Sequence, residues 1–229
     1  MTDVANKFGD WIKEGFDIYK NNLGVLILSS LIACLLSMIT LGVLLGPMSA
    51  GMILIVQKLR DGKQPPPAAG DVFQGFQYFL QSFLFCIVWG VILFVAIMIL
   101  SFIPCLGQLL SICISLAATA FLMFGLFLIV EQKMDFWPAS MASIEKVKPA
   151  FFPLLGLALV AGILGQIGAL ACGIGVFVTM PIYFTILSVT YRDVFSGGAA
   201  IAEAKAPAAA PPPPPETPET PETPGEDPQ

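Results

Sequence analysis

Histidine is absent from all 229 residues. That removes imidazole metal ligands, haem ligation through histidine and the commonest general base. Charge is scarce too: Asp, Glu, Lys and Arg make up 12% of the chain, against roughly 25% in soluble domains. None of them falls within three long stretches, about Leu23–Val56, Tyr78–Val130 and Ala150–Tyr191. Intramembrane proton relays and ion-coupled carriers usually need a carboxylate inside a span, so the lack of an acidic pair there disfavours both. Walker A, G-x-S-x-G and dinucleotide fingerprints are missing. Five cysteines, Cys34, Cys86, Cys105, Cys113 and Cys172, form no C-x-x-C pair. They read as small buried apolar side chains. Cys105 and Cys172 fall at two expected outer turns, where a disulfide is the alternative. No catalysis, cofactor, metal or nucleic-acid partner is expected.

What is present is apolar. Hydrophobic residues reach 56% and the mean hydropathy is +0.83. A charge at mid-bilayer costs about 2.5–3.5 kcal/mol on insertion scales, so stretches cleared of charge imply a polytopic, all-α transmembrane helical bundle. No cleavable leader is evident, and the first stretch is expected to stay as an anchor. One crossing needs about 20 apolar residues. Tyr78–Val130 fits two, with a break at residues 103–108. Ala150–Tyr191 fits two, with a break at residues 172–175 and Pro181 near the start of the return helix. Leu23–Val56 breaks at residues 42–47 and yields either two short crossings or one span and a half-buried helix, Met48–Leu59. Basic clusters flank the stretches: Lys7, Lys13 and Lys20; Lys58, Arg60 and Lys63; Lys133, Lys146 and Lys148; then Arg192. Lys and Arg favour the cytoplasmic side. Each stretch then crosses an even number of times, giving six spans as three hairpins with both termini cytoplasmic.

An aromatic-bearing segment precedes each hairpin. Phe8, Trp11, Ile12, Gly15, Phe16 and Tyr19 follow helical spacing, with charges on the other face, so residues 1–22 form an amphipathic helix suited to the headgroup plane. Phe73, Phe76, Leu80 and Phe83 form the second stripe, and Asp71 with Gln74 has capping-box-like spacing. Asp135 is placed to cap a third helix carrying Phe136, Trp137, Met141 and Ile144. Phe8, Trp11, Phe16 and Trp137 are the expected interfacial anchors; the bland reading makes these segments the first turns of the spans that follow. Small residues recur every fourth position at Gly42 and Gly46, and at Ala161, Gly165, Ala169 and Gly173, as expected for helix packing. Ser111, Ser115, Thr119 and Gln166 make up the candidate polar intramembrane face. Hydroxyls in such a row either line a path or bond back to a carbonyl one turn earlier.

From residue 196 the composition changes. The net charge of −5 is a property of this tail. Pro211–Pro215 and three Glu-Thr-Pro units through Pro224 favour extended, solvated chain, so 196–229 is expected to be disordered, a spacer or a docking segment for a protein partner. The body, residues 23–195, carries Gly46-Pro47-x-x-x-Gly51, then Asp71-Val72-Phe73-x-Gly75-Phe76, and later Gly173-Ile174-Gly175-x-x-x-Thr179-x-Pro181 with Tyr191. Over about residues 8–195 this arrangement resembles a family of uncharacterised bacterial integral membrane proteins. It is similar also to the membrane domain attached to some glycerophosphodiester phosphodiesterases. The resemblance implies a six-helix bundle of the bacterial inner membrane and carries no catalytic residues. The expected function is non-enzymatic, with an envelope, scaffolding or lipid-organising role and membrane lipids as partners. The alternative is a transporter or channel subunit for a neutral or apolar solute.

Overall fold

The computed structural model describes residues 2–103, 106–170 and 175–195. Among them the regular structure is helical throughout. The elements are α1 (Thr2–Asn21), α2 (Leu23–Ile39), α3 (Leu45–Arg60), a 3-10 run (Ala69–Tyr78) leading into α4 (Phe79–Leu100), α5 (Leu106–Leu122), α6 (Gly125–Glu131), α7 (Phe136–Val147), α8 (Phe151–Gln166) and α9 (Val176–Phe195). The tail, Cys105, Cys172, Gly173 and most of the break at residues 172–175 lie outside the described residues.

Three helical runs are long and apolar enough to cross a membrane: Ala69–Leu100, Leu106–Glu131 and Phe136–Gln166. A fourth is present if α1 and α2, bent by 90° between Asn21 and Leu23, count as one. This makes the chain a helical membrane protein of three to four candidate spans. At 1.5 Å per residue, the 17 residues of α2 extend about 25 Å, just short of a hydrocarbon core of about 30 Å. Helix α3 is shorter and carries Gly46, Pro47, Gly51 and Gln57. It tolerates them because protein surrounds it: Gly46 to Ile53 and Ile55 to Gln57 are buried.

Glycine makes that burial possible. A Cβ on Gly51 would come within 1.9 Å of the Val72 carbonyl oxygen, and one on Gly75 within 2.0 Å of the Pro47 carbonyl oxygen. The backbones of α3 and the 3-10 run therefore touch directly, and two motifs separated in sequence form one joint. Lys58 Nζ closes it, donating to Asp71 Oδ2 and to Gln74 Oε1 at 3.0 Å each. The capping-box expectation at Asp71 and Gln74 is corrected here. Gln74 Nε2 bonds the Asp71 carboxylate at 2.9 Å, and the pair serves Lys58 rather than a helix end. The cap expected of Asp135 is corrected as well. Its side chain caps nothing; it accepts from Gln81 Nε2 at 2.7 Å, while Gln81 Oε1 receives the Phe136 N–H at 3.0 Å. A glutamine from α4 caps α7.

Helix α9 is the second buried element, enclosed from Pro181 to Tyr191 except at Tyr183, which is half-buried. Pro181 has no N–H for the Phe177 carbonyl, and Ser30 Oγ of α2 supplies a donor to that oxygen. On its other side α9 carries α1. Trp11 and Tyr19 are buried, and a Cβ on Gly15 would lie 2.7 Å from Ile186 Cα. The aromatic stripe of α1 thus divides. Trp11 and Tyr19 face protein, where a lipid-facing role was expected for Trp11, and Phe16 faces outward at 42% exposure. The reason is the glycine, which lets the two helices approach on the face that Trp11 and Tyr19 share.

Candidate functional site

Two places gather side chains with chemistry. The first is a cavity of about 490 Å³ between α2, the turn that follows it, α3 and the start of α9. Thr40 Oγ1 bonds the Leu36 carbonyl at 2.8 Å, and Gly42 closes the turn at φ +87° with its N–H on the Ser37 carbonyl. The walls are apolar and rich in sulfur: Met38, Met48, Met52 and Met180 line the cavity, with Cys34 Sγ 3.4 Å from Met180 Sδ. Met48 and Met52 lie one turn apart on α3, with Ser49 between them. Ser37 and Ser49 also line the space, each only 8% exposed. Elsewhere Ser29, Ser82, Ser111, Ser140 and Thr190 bond the carbonyl four residues earlier. Among the described residues, Ser37 and Ser49 are the buried serines whose hydroxyls make no hydrogen bond.

The second place is polar and joins the ends of four helices. The Arg60 guanidinium, 4% exposed, bonds Asp61, the Ser188 carbonyl and hydroxyl, and approaches Glu131 at 3.9 Å. Gln57 reaches the same carboxylate at 3.0 Å, and Gln132 donates to the Tyr191 hydroxyl at 3.2 Å. Beside it the Asp193 carboxylate, almost wholly buried, accepts from Trp11 Nε1 at 2.9 Å and pairs with Lys7 at 3.3 Å. Arg192 holds Glu14 at 2.6 Å. A buried charge left without partners costs several kcal/mol, so these bonds fasten α1 to α9 and α3 to α6 and α9. Each charge has an opposite partner, while Arg192 Nε and Asp193 Oδ1 are buried without a hydrogen bond; the pairing holds helix ends together.

The residues singled out from sequence are spread over the bundle. Ser111 is buried and Thr119 exposed, and their hydroxyls bond the carbonyls of Gly107 and Ser115 at 2.8 Å. Thr119 and Gln166 line one shallow groove of about 250 Å³ between α5 and α8; Ser111 and Ser115 are not part of it. Ala161 and Gly165 sit where α8 meets α9, a Cβ on Gly165 falling 3.1 Å from Tyr183 Cβ. Gly46 admits the backbone of Ser82. Gly42 has open space around it and serves the turn instead of packing. Ala169 lies in the short 3-10 run Ile167–Leu170. Phe8 is half-buried beside Gly156, and Trp137 is 52% exposed at the start of α7. Sequence reading passed over Ser37, Ser49 and the four methionines. The Met48–Met52 spacing was a signal for a sulfur-rich face, but the joining of α2, α3 and α9 is tertiary. No protein-family model matches the chain, and no curated protein or solved structure matches it.

Proposed function

We propose that this is a non-enzymatic integral membrane protein that organises surrounding lipid and acts as a scaffold in the bacterial inner membrane. The observation that carries the reading is α4 with the 3-10 run before it. Phe73, Phe76, Phe79 and Phe83 stack in sequence at centroid distances of 6.4, 6.1 and 5.7 Å, with planes within 11° of parallel. Phe73 and Phe76 are exposed, and the comb continues into exposed Val91, Phe94, Met98 and Ile99. In a bilayer this presents a rigid, nearly all-apolar surface to acyl chains, with aromatic rings suited to the headgroup level. Behind it, direct backbone contacts at Gly51 and Gly75 hold the interior still. The bacterial setting rests on the sequence resemblance.

Six crossings with both termini cytoplasmic belong to the same proposal. Its support is that polar contacts join the segments carrying three of the basic clusters: Lys7 with Asp193, next to Arg192, and Arg60 with Glu131 and Ser188. Groups in contact lie on one side of the membrane. Reporters at either terminus are expected to read cytoplasmic and one at Gly107 external; a cytoplasmic reading at Gly107 would remove the three-hairpin arrangement.

The second reading, a conduit for a neutral solute, is favoured by the groove shared by Thr119 and Gln166. Flux measurements on purified protein in liposomes separate the two. The scaffold reading expects flux of glycerol and similar solutes at the level of bare vesicles, with the anisotropy of a lipid probe rising with protein content. Flux above that level, blocked by Thr119→Val with Gln166→Leu, would overturn it.

A further inference from the structure

We propose that the methionine-lined cavity between α2, α3 and α9 seats one acyl chain of a phospholipid, whose ester carbonyl accepts hydrogen bonds from Ser37 and Ser49. This deepens the lipid-organising reading and rests on it. The cavity, about 490 Å³, is roughly three times an engineered apolar cavity of about 150 Å³ that takes benzene. Water is a poor occupant of most of the space, because an ordered water needs two to four polar partners and, away from Ser37 and Ser49, the walls are almost entirely hydrocarbon and sulfur. Methionine side chains adapt to irregular, flexible guests, and four of them line this one space.

The two serines specify more than an apolar guest. A helical serine can satisfy itself on the carbonyl four residues earlier, as several in this chain do. As residues Ser37 and Ser49 are more than nine-tenths buried, yet their hydroxyls make no hydrogen bond and both stand on the wall of the same cavity. The two oxygens are open to the cavity rather than sealed in protein; set among hydrocarbon, a hydroxyl without a partner is unfavourable, and an acceptor supplied by the guest removes that penalty. The guest therefore has a long apolar part and a hydrogen-bond acceptor at one end. The mouth fixes the source. Met38 is 70% and Leu41 94% exposed, with Leu35 and Ile39 exposed beside them, so the cavity is continuous with the surface that faces lipid. A phospholipid reaches it by moving sideways in its own leaflet. The chain's tail is a poor rival, because proline, glutamate and threonine supply no side chain of that shape.

The test uses the full-length protein in vesicles of phosphatidylethanolamine and phosphatidylglycerol, doped with a phospholipid carrying a photoreactive diazirine midway along one acyl chain. After irradiation, peptide mapping is expected to concentrate label on residues 33–52 and 176–180, above the outward surface of α4. Ser37→Ala with Ser49→Ala is expected to lower cavity labelling about fivefold or more, the factor set by one ordinary hydrogen bond. Its melting temperature should hold or rise, which separates lost binding from lost fold. Ser30→Ala, whose hydroxyl is occupied by Phe177, is the contrasting case: melting falls and labelling per folded molecule stays. Label spread evenly over α4 and α5, or unchanged in the double variant, would overturn the site. Equal competition by a free fatty acid would overturn the ester assignment. Absent cavity labelling with solute flux at the bare-vesicle level removes the site and leaves the scaffold reading; cavity labelling together with high flux keeps the site and removes that reading.

Discussion

Gly51 and Gly75 tolerate no side chain. Backbone carbonyls occupy the place where each Cβ would stand, and backbone cannot rotate aside as a side-chain tip can. Overpacking a core usually costs about 1–3 kcal/mol, and a backbone clash lies at or beyond the top of that range. Gly51→Ala and Gly75→Ala are each expected to lower the melting temperature sharply in detergent or to abolish recovery of folded protein. Gly42→Ala meets open space but holds φ +87°; its expected cost is about 1–2 kcal/mol, the left-handed penalty alone. Gly90→Ala, open and at ordinary φ, should be neutral or mildly stabilising, since alanine favours helix. A thermal melt of the four variants in that order checks the assignment; equal losses at Gly42 and Gly51 would contradict it. The Gly46-Pro47-x-x-x-Gly51 and Asp71-Val72-Phe73-x-Gly75-Phe76 motifs were visible as motifs. That they mate was not, because sequence spacing along two separate segments carries no record of which backbones meet.

Helix α1 was legible as amphipathic from its periodicity, and its partner was not. The stripe of Phe8, Trp11, Gly15, Phe16 and Tyr19 spans a wide arc, and periodicity cannot tell a face toward lipid from a face toward α9. The structure divides it between the two. Trp11→Ser removes a buried ring and one donor to the buried Asp193 carboxylate, an expected loss of about 3–5 kcal/mol by analogy with large-to-small core changes. Phe16→Ser changes an outward ring and should alter the stability of the folded bundle by under about 1 kcal/mol, while weakening adsorption of a peptide of residues 1–22 to vesicles. Calorimetry of both variants beside vesicle binding of both peptides measures the contrast. Equal destabilisation by the two would mean that α1 is not docked as described. The caps illustrate the same limit. Asp135 had the right residue type before α7, and a glutamine 54 positions earlier took the role.

For the whole molecule, charge exclusion made the membrane class and the helical fold readable, because the bilayer penalises a misplaced charge whatever its neighbours. Span number was less readable, since α3 and α9 are shielded by protein and so released from the apolar composition that lipid-facing helices need. Deleting residues 200–229 is expected to leave expression and melting of the bundle unchanged, as proline and glutamate offer it no apolar face. A fall in melting temperature on truncation would show that the tail packs against it.

The joint at Gly51 and Gly75 also has a consequence in time. When the ribosome has made α3, the segment that covers it, Ala69–Tyr78, does not yet exist. On its own α3 offers a bilayer glycine, proline, serine and a glutamine, with Lys58 and Arg60 at its end. The helix that ends up deepest in the protein is therefore the one least able to settle alone, and it must wait, sheltered by the insertion machinery or lying at the surface, until α4 arrives to claim it.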